Sequence, residues 1–122
     1  MGEDKRSTIE AYLPVKPVIL QILLALHGTE LHGYGVIQSV RTQSSGQLRL
    51  SNGAFYRHLA WLLKRGLVAE SASRPRDADP RRGAHYRLTK LGEQVLSAEG
   101  GRIKGVLSVI ESKGIQPDER IA

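Results

Sequence analysis

Arginine and lysine are the residues whose placement in this 122-residue chain carries chemistry. Arg57, Lys64 and Arg65 fall in a stretch, residues 52–65, that contains no acid, and Arg74, Arg76, Arg81, Arg82, Arg87 and Lys90 follow against only Asp77 and Asp79. These two clusters exceed the formal net charge of +6, so the remainder of the chain is close to neutral. Cations gathered on one short helix and the segment beside it can neutralise successive phosphates of a polyanion, and a forked guanidinium can also grip the edge of one base. An isolated basic loop is more often only a solvated surface. Here the loop comes directly after a capped helix, which favours nucleic acid.

Other chemistries find little support. His27, His32, His58 and His85 lack the spacing of a metal site, and no nucleophile has an evident base and orienting partner. Cysteine is absent, which removes disulfides, thiol nucleophiles and thiolate metal sites. No catalytic residue, metal or cofactor is therefore expected. The longest apolar run, residues 18–26, is broken by Gln21 and is far shorter than the ~20 residues a bilayer requires. No membrane partner or secretory segment is expected, and the cytoplasm is the simplest setting.

The element that must present the first cations is a helix over residues 52–65. Phe55, Leu59, Leu62 and Leu63 recur at helical spacing and should face a core, leaving Asn52, Tyr56, Arg57 and Lys64 for another surface. Ser51 or Asn52 can cap its start, and Gly66 follows a last turn in which Lys64 and Arg65 suit the negative end of the helix dipole. Residues 67–73 and 84–88 read as two strands, with Tyr86 and Leu88 on one face and His85 and Arg87 on the other. Residues 74–83, rich in Pro, Gly and charge, form the loop between them and are a candidate wing.

Upstream, Pro17 opens a helix that reaches His27 and stops at Gly28. Its apolar residues cover nearly the whole circumference, so it should be buried on two sides, one of them most economically by a second subunit. A second helix is expected over 33–43, with Val36, Ile37 and Val40 inward. Residues 1–8 should be frayed and residues 9–13 a short lead-in stopped by Pro14. A last helix should run from Thr89 or Lys90 towards Lys113, with Leu96, Ile103, Val106, Leu107 and Ile110 as its apolar seam. Gly100, Gly101 and Gly105 each cost about 1 kcal/mol relative to alanine there, so a bend or two consecutive helices are expected. The fold class is thus mainly α with a small β-hairpin, a winged helix-turn-helix in the order α-α-α-β-β-α. The expected organisation is a polar lead-in (1–13), a DNA-binding domain (14–90), a terminal dimerisation helix (91–113) and a flexible tail (114–122).

Three stretches carry a more specific signal: His32-Gly33-Tyr34-Gly35, Leu50-Ser51-Asn52-Gly53-Ala54-Phe55-Tyr56-Arg57-His58-Leu59 continuing through Leu62 to Gly66-Leu67-Val68, and His85-Tyr86-Arg87-Leu88-Thr89-Lys90-Leu91-Gly92. In order and spacing, over most of residues 14–92, the chain resembles the PadR family of transcriptional regulators, and in its single short terminal helix the compact subgroup of that family. The resemblance implies a homodimeric regulator, usually a repressor, whose third helix enters the major groove while the wing follows adjacent backbone. It also implies a dimer made by the first and last helices, for which Ile19, Leu20, Leu23, Leu96, Ile103, Val106, Leu107 and Ile110 are the candidates. Two features depart from relatives: Ala54-Phe55 replaces a common threonine and leucine, and Ala60-Trp61 a charged pair. Trp61 should serve packing, over the base of the wing or a neighbouring helix.

Roles follow for the double-stranded DNA contact. Arg57 is the candidate for a guanine edge, Asn52 for an adenine or, more in character, for the helix cap shared with Ser51, and Tyr56 for a phosphate. Ala54 and Lys64 lie on the same helix, Tyr34 sits at the start of the preceding one, and Arg76, Arg81 and Arg82 reach from the wing. Relatives respond to phenolic compounds or hydrophobic drugs. A small aromatic or hydrophobic effector would find its cavity between the apolar end helices, with constitutive binding as the alternative. A winged helix used only for protein association is the competing reading, and the basic wing argues against it.

Overall fold

The computed structural model describes residues 2–71 and 83–120, with side chains from residue 6 onward. Five helices and three short strands follow in the order α1 (Gly2–Glu10), α2 (Pro17–Leu26), β1 (Leu31–His32), α3 (Gly33–Gln43), α4 (Asn52–Lys64), β2 (Val68–Glu70), β3 (His85–Leu88) and α5 (Lys90–Ser112). None of these helices is long and apolar enough to cross a membrane.

The expected helix-helix-helix-strand-strand-helix order is present, with one element added at the start and one strand inserted. Residues 2–10 are helical and not frayed. Polar helix formers supply the turns, and Ile9, Tyr12 and Leu13 at the far end pack on the core, which anchors the segment. The linker before α3 supplies β1, whose Leu31 and His32 pair antiparallel with Tyr86 and His85. On its other edge β3 pairs with β2, Val68 opposite Leu88 and Glu70 opposite Tyr86, giving the order β1-β3-β2. This third strand changes the burial of the hairpin. His85 is buried despite sharing the expected outward face with Arg87, because His32 lies across from it, ring edge to ring face at 5.7 Å.

The core is built from Ile22, Leu23 and Leu26 of α2, Val36 and Val40 of α3, Phe55, Leu59 and Leu62 of α4, Leu67, Val68, and Val95 of α5. Leu63 does not join it. It is exposed, because its helical phase falls between the buried face and the outer one. The nearly all-apolar α2 is consumed mostly within the protomer, with Leu24 left out in solvent. Ile19 and Leu23, expected at a subunit interface, are core residues here, because α3 and α5 close over that side of α2.

α5 runs unbroken through Gly100-Gly101, so the segment is one helix and not two. Its inner half is fixed by a buried carboxylate. Glu99 accepts from both Arg102 Nε (2.7 Å) and Nη2 (2.8 Å), and its Oε1 also accepts the Val15 backbone N–H at 3.3 Å. The Arg102 bonds hold the Glu99 carboxyl below the usual carboxylate range; burial opposes this and the Val15 amide assists. A carboxyl depressed in the folded state stabilises it above the unfolded pKa of about 4, and that contribution disappears as the pH falls through the lower folded value. Urea titrations of wild type and Glu99→Gln should therefore differ most at neutral pH, wild type being the more stable, and converge below pH about 4.

Candidate nucleic-acid interface

The start of α4 is set by Ser51, whose Oγ accepts the Ala54 N–H at 3.2 Å. Asn52 is then the first helical residue, not the cap, and its amide is exposed and available for other contacts. The helix ends with Gly66 in the left-handed region, φ +75°, a turn that a side chain would strain and that sends the chain into β2. Phe55, Leu59 and Leu62 hold the helix by one face. By helical phase, Gly53, Arg57, Ala60 and Lys64 lie opposite that face and form the crest.

Two flanks border the crest. On the α3 side, Asn52, Tyr56 and Leu63 are exposed, and the Tyr56 ring stands edge-on to Phe55 at 4.9 Å. The Tyr56 hydroxyl rests against Gly33, where a β-carbon would come within 2.6 Å of it, so the glycine permits the close approach of α3 to α4. The start of α3 is capped by His32, whose Nδ1 accepts the Gly35 N–H at 3.0 Å. Tyr34 stands exposed in that first turn, its hydroxyl accepting from Gln38 Nε2 at 2.8 Å. Tyr56 thus reaches the start of α3, whose first turn carries Tyr34, while Ser51, Asn52 and half-buried Ala54 begin α4.

The opposite flank carries His58 and Trp61. Trp61 packs edge-on against Tyr12, centroids 6.0 Å apart, with the Arg65 guanidinium 5.4 Å from its ring. It therefore covers the segment between α1 and α2 and not the base of the wing. Burial, then Arg57 and Lys16 as neighbouring positive charges, push the His58 pKa down, so its imidazole is disposed to stay neutral. The wing candidates Arg76, Arg81 and Arg82 lie outside the described residues, whereas Arg87 is exposed on β3. Among the described residues no three His, Asp or Glu side chains gather as a metal site would require.

The candidate interface residues do not include the contacts that hold it in place. The Thr89 hydroxyl donates to the Gly66 carbonyl at 2.5 Å and accepts the Gly92 N–H at 3.1 Å, which ties the end of α4 to the start of α5. A threonine just before a helical pattern signals a cap, but its second bond across 23 positions has no local signature. His32 as a cap is equally hard to see, since the usual cap residues are Ser, Thr, Asp and Asn.

Three helices around one core, the third capped and bare on its outer side, and a hairpin leaving directly from its end make a winged helix-turn-helix protein. Residues 22–98 match the transcriptional regulator PadR-like family, and the chain belongs to it. No curated protein matches the chain. Among solved structures, a transcriptional regulator from Clostridium thermocellum is 19% identical, with 87% of this chain and 96% of that one covered and a TM-score of 0.62. A PadR-like transcription factor from Bacteroides fragilis is 21% identical, with 78% and 87% covered and a TM-score of 0.63. At that identity they share the fold. The family is one of transcriptional regulators and not of enzymes.

Replacing Ser51 by alanine should lower unfolding stability by about 1 kcal/mol through loss of the α4 cap. A thermal or urea titration reads this directly, and Asn52→Ala should leave stability nearly unchanged.

Proposed function

We propose that this chain is a sequence-specific DNA-binding repressor that works as a homodimer on a pseudo-palindromic operator, with α4 in the major groove. The observation that carries the reading is the outer surface of α4. Asn52, Tyr56, Arg57 and Lys64 are all exposed there on a helix without a single acid, while the opposite face is locked into the core. A cationic helix held rigidly in this way loses little entropy when it docks against phosphates and base edges. Arg57 on the crest reads a guanine edge, Asn52, freed from capping, reads an adjacent base, and Tyr34, Ser51, Ala54, Tyr56 and Lys64 position the helix on the backbone. Arg76, Arg81 and Arg82 complete the contact from the wing.

The dimer reading is supported by α5. Beyond Arg102, Ile103, Val106, Leu107 and Val109 are exposed at 42, 48, 40 and 57%, and Leu24 of α2 at 44%. So many large apolar side chains in solvent on one half-helix favour a partner surface, and a second copy supplies the same stripe in return. Ile110 is half-buried on the same half-helix, whereas Leu20 and Leu96 are half-buried against the protomer's own core.

On an operator recovered by selecting bound genomic fragments, Arg57→Ala should cost about 1–3 kcal/mol of binding and relax discrimination at one base pair, with far less effect on random duplex. Equal losses on both would take Arg57 off the base edge. Val106→Glu should convert dimer to monomer in sedimentation at micromolar protein and reduce operator affinity by about tenfold or more, because the two half-sites are then bound independently. Retention of the dimer would exclude this face as the interface.

A further inference from the structure

Lys16, Arg57 and His58 meet on the flank of α4 that faces away from α3, around a concavity of about 400 Å³ between α4 and the segment that joins α1 to α2. No acidic residue lines it, and no ion pair among the described residues involves any of these three groups. Lys16 also stands at the start of α2, where no side chain caps the helix, so the positive end of the helix dipole adds to the same patch. Facing His58 are Lys16 and Tyr12 from before α2 and Arg57 and the Trp61 ring from α4 itself, while Leu67 and Val95 add no charge. The Arg65 guanidinium is one more cation close by, 5.4 Å from the Trp61 ring. Glu99, bonded to the nearby Val15 amide, does not line the concavity and is already paired with Arg102. Burial, then Arg57, then Lys16 hold the His58 pKa below its ordinary 6.5, so the imidazole stays neutral until an anion offsets those charges.

We propose that Lys16 and His58 grip a backbone phosphate of the DNA strand that runs along this flank of α4, and that His58 takes up a proton as the phosphate arrives, so that operator affinity depends on pH. This deepens the DNA reading given above and rests on it. A helix seated in the major groove, about 12 Å wide, has one sugar-phosphate backbone on either side of it. Tyr34 and Tyr56 are assigned to the α3 side; on the opposite side Lys16 and His58 adjoin the crest through Arg57. A phosphate there offsets the repulsion from Lys16 and Arg57 and accepts a hydrogen bond from the imidazolium, so the complex favours the charged form that the free protein disfavours. The proton comes from solvent and returns to it on release, and no other covalent bond changes. Because His58 then has the higher pKa in the complex, affinity is lowest above that pKa, rises as the pH falls through it and levels off below the pKa of the free protein. Lys16 is charged throughout, so it adds to affinity at every pH and to its salt dependence.

Fluorescence anisotropy with the operator, recovered as above, reads both halves. Wild type should bind about fivefold tighter at pH about 6 than at pH about 8. His58→Gln should match wild type at the higher pH and gain at most about twofold at the lower, the remaining histidines being common to both. His58→Lys, charged at both, should keep the tighter binding at both. Calorimetry in buffers of different ionisation heat should show a net proton uptake in wild type that exceeds that of His58→Gln. Lys16→Gln, at an exposed position, should reduce the slope of log affinity against log salt by about 0.9, the share of one phosphate. The same pH dependence in wild type and His58→Gln, or none in wild type, overturns the proton step, and an unchanged salt slope in Lys16→Gln overturns the phosphate's position. Each of these outcomes is read on a protein that binds its operator, whereas failure to bind any duplex at either pH would end the DNA reading itself and the phosphate grip with it.

Discussion

α4 has to be gripped firmly on one face so that the other can be left bare, and most of the structure serves that grip. Phe55, Leu59 and Leu62 are almost completely enclosed, by residues of α2, α3 and the strand that follows. Burying three such side chains supplies several kcal/mol, more than enough to keep a short helix in place that would be marginal alone in water. The neighbouring elements are fitted to this clamp. Gly33 lets α3 come up to Tyr56, and Gly66 turns the chain into β2 without loosening the last helical turn. Thr89 then joins the C-terminal end of α4 to the N-terminal end of α5 through one hydroxyl. The two helices are therefore joined at that point by side-chain hydrogen bonds as well as by the chain between them.

Legibility in the sequence followed the range of the interaction. α4 could be bounded almost to the residue, because its cap, its apolar repeat and its terminal glycine are all encoded within a few positions of one another. α2, α3 and the start of α5 were readable for the same reason. β1 was not, since two residues have no period, and they become a strand only because β3 offers an edge far along the chain. The burial of His85 could not be read without β1. The Glu99 carboxylate was equally hidden. Its partner Arg102 is one turn away and visible, but the Val15 amide that draws it inward is 84 positions distant. For the site, the exposed set on α4 was predictable from helical phase, whereas the cavity beside it depends on Tyr12 and Lys16, which the folded chain alone brings to Trp61 and Arg57.

Arg57 sits where two surfaces meet. By helical phase it lies on the crest, and the same side chain borders a pocket that also contains the cation of Lys16 and the imidazole of His58. A long guanidinium side chain beside Lys16 gains little from folding back, since Lys16 repels it and among the described residues no carboxylate forms an ion pair with it. This repulsion favours the exposed arrangement of Arg57, in which solvent screens the charge.

The Glu99–Arg102 pair divides α5 into two halves with different obligations. Before it, Val95 and Glu99 itself are buried, and the helix is part of the domain. After it, none of the remaining helical residues is buried, although Ile103, Val106, Leu107 and Val109 are large and apolar. That outer half spans about 15 Å at 1.5 Å per residue. It contains Gly105 and follows Gly100-Gly101, none of which has anything within 4 Å of a would-be β-carbon. A half-helix with poor intrinsic propensity and little burial among the described residues gains little from packing, because most helical stability in proteins comes from burying an apolar face. Its glycines weaken the isolated helix but remove the bulk that would keep another helix away. Both properties accord with the partner surface proposed above, and the Glu99 carboxylate, bonded to Arg102 and the Val15 amide, anchors α5 at the point where its burial declines.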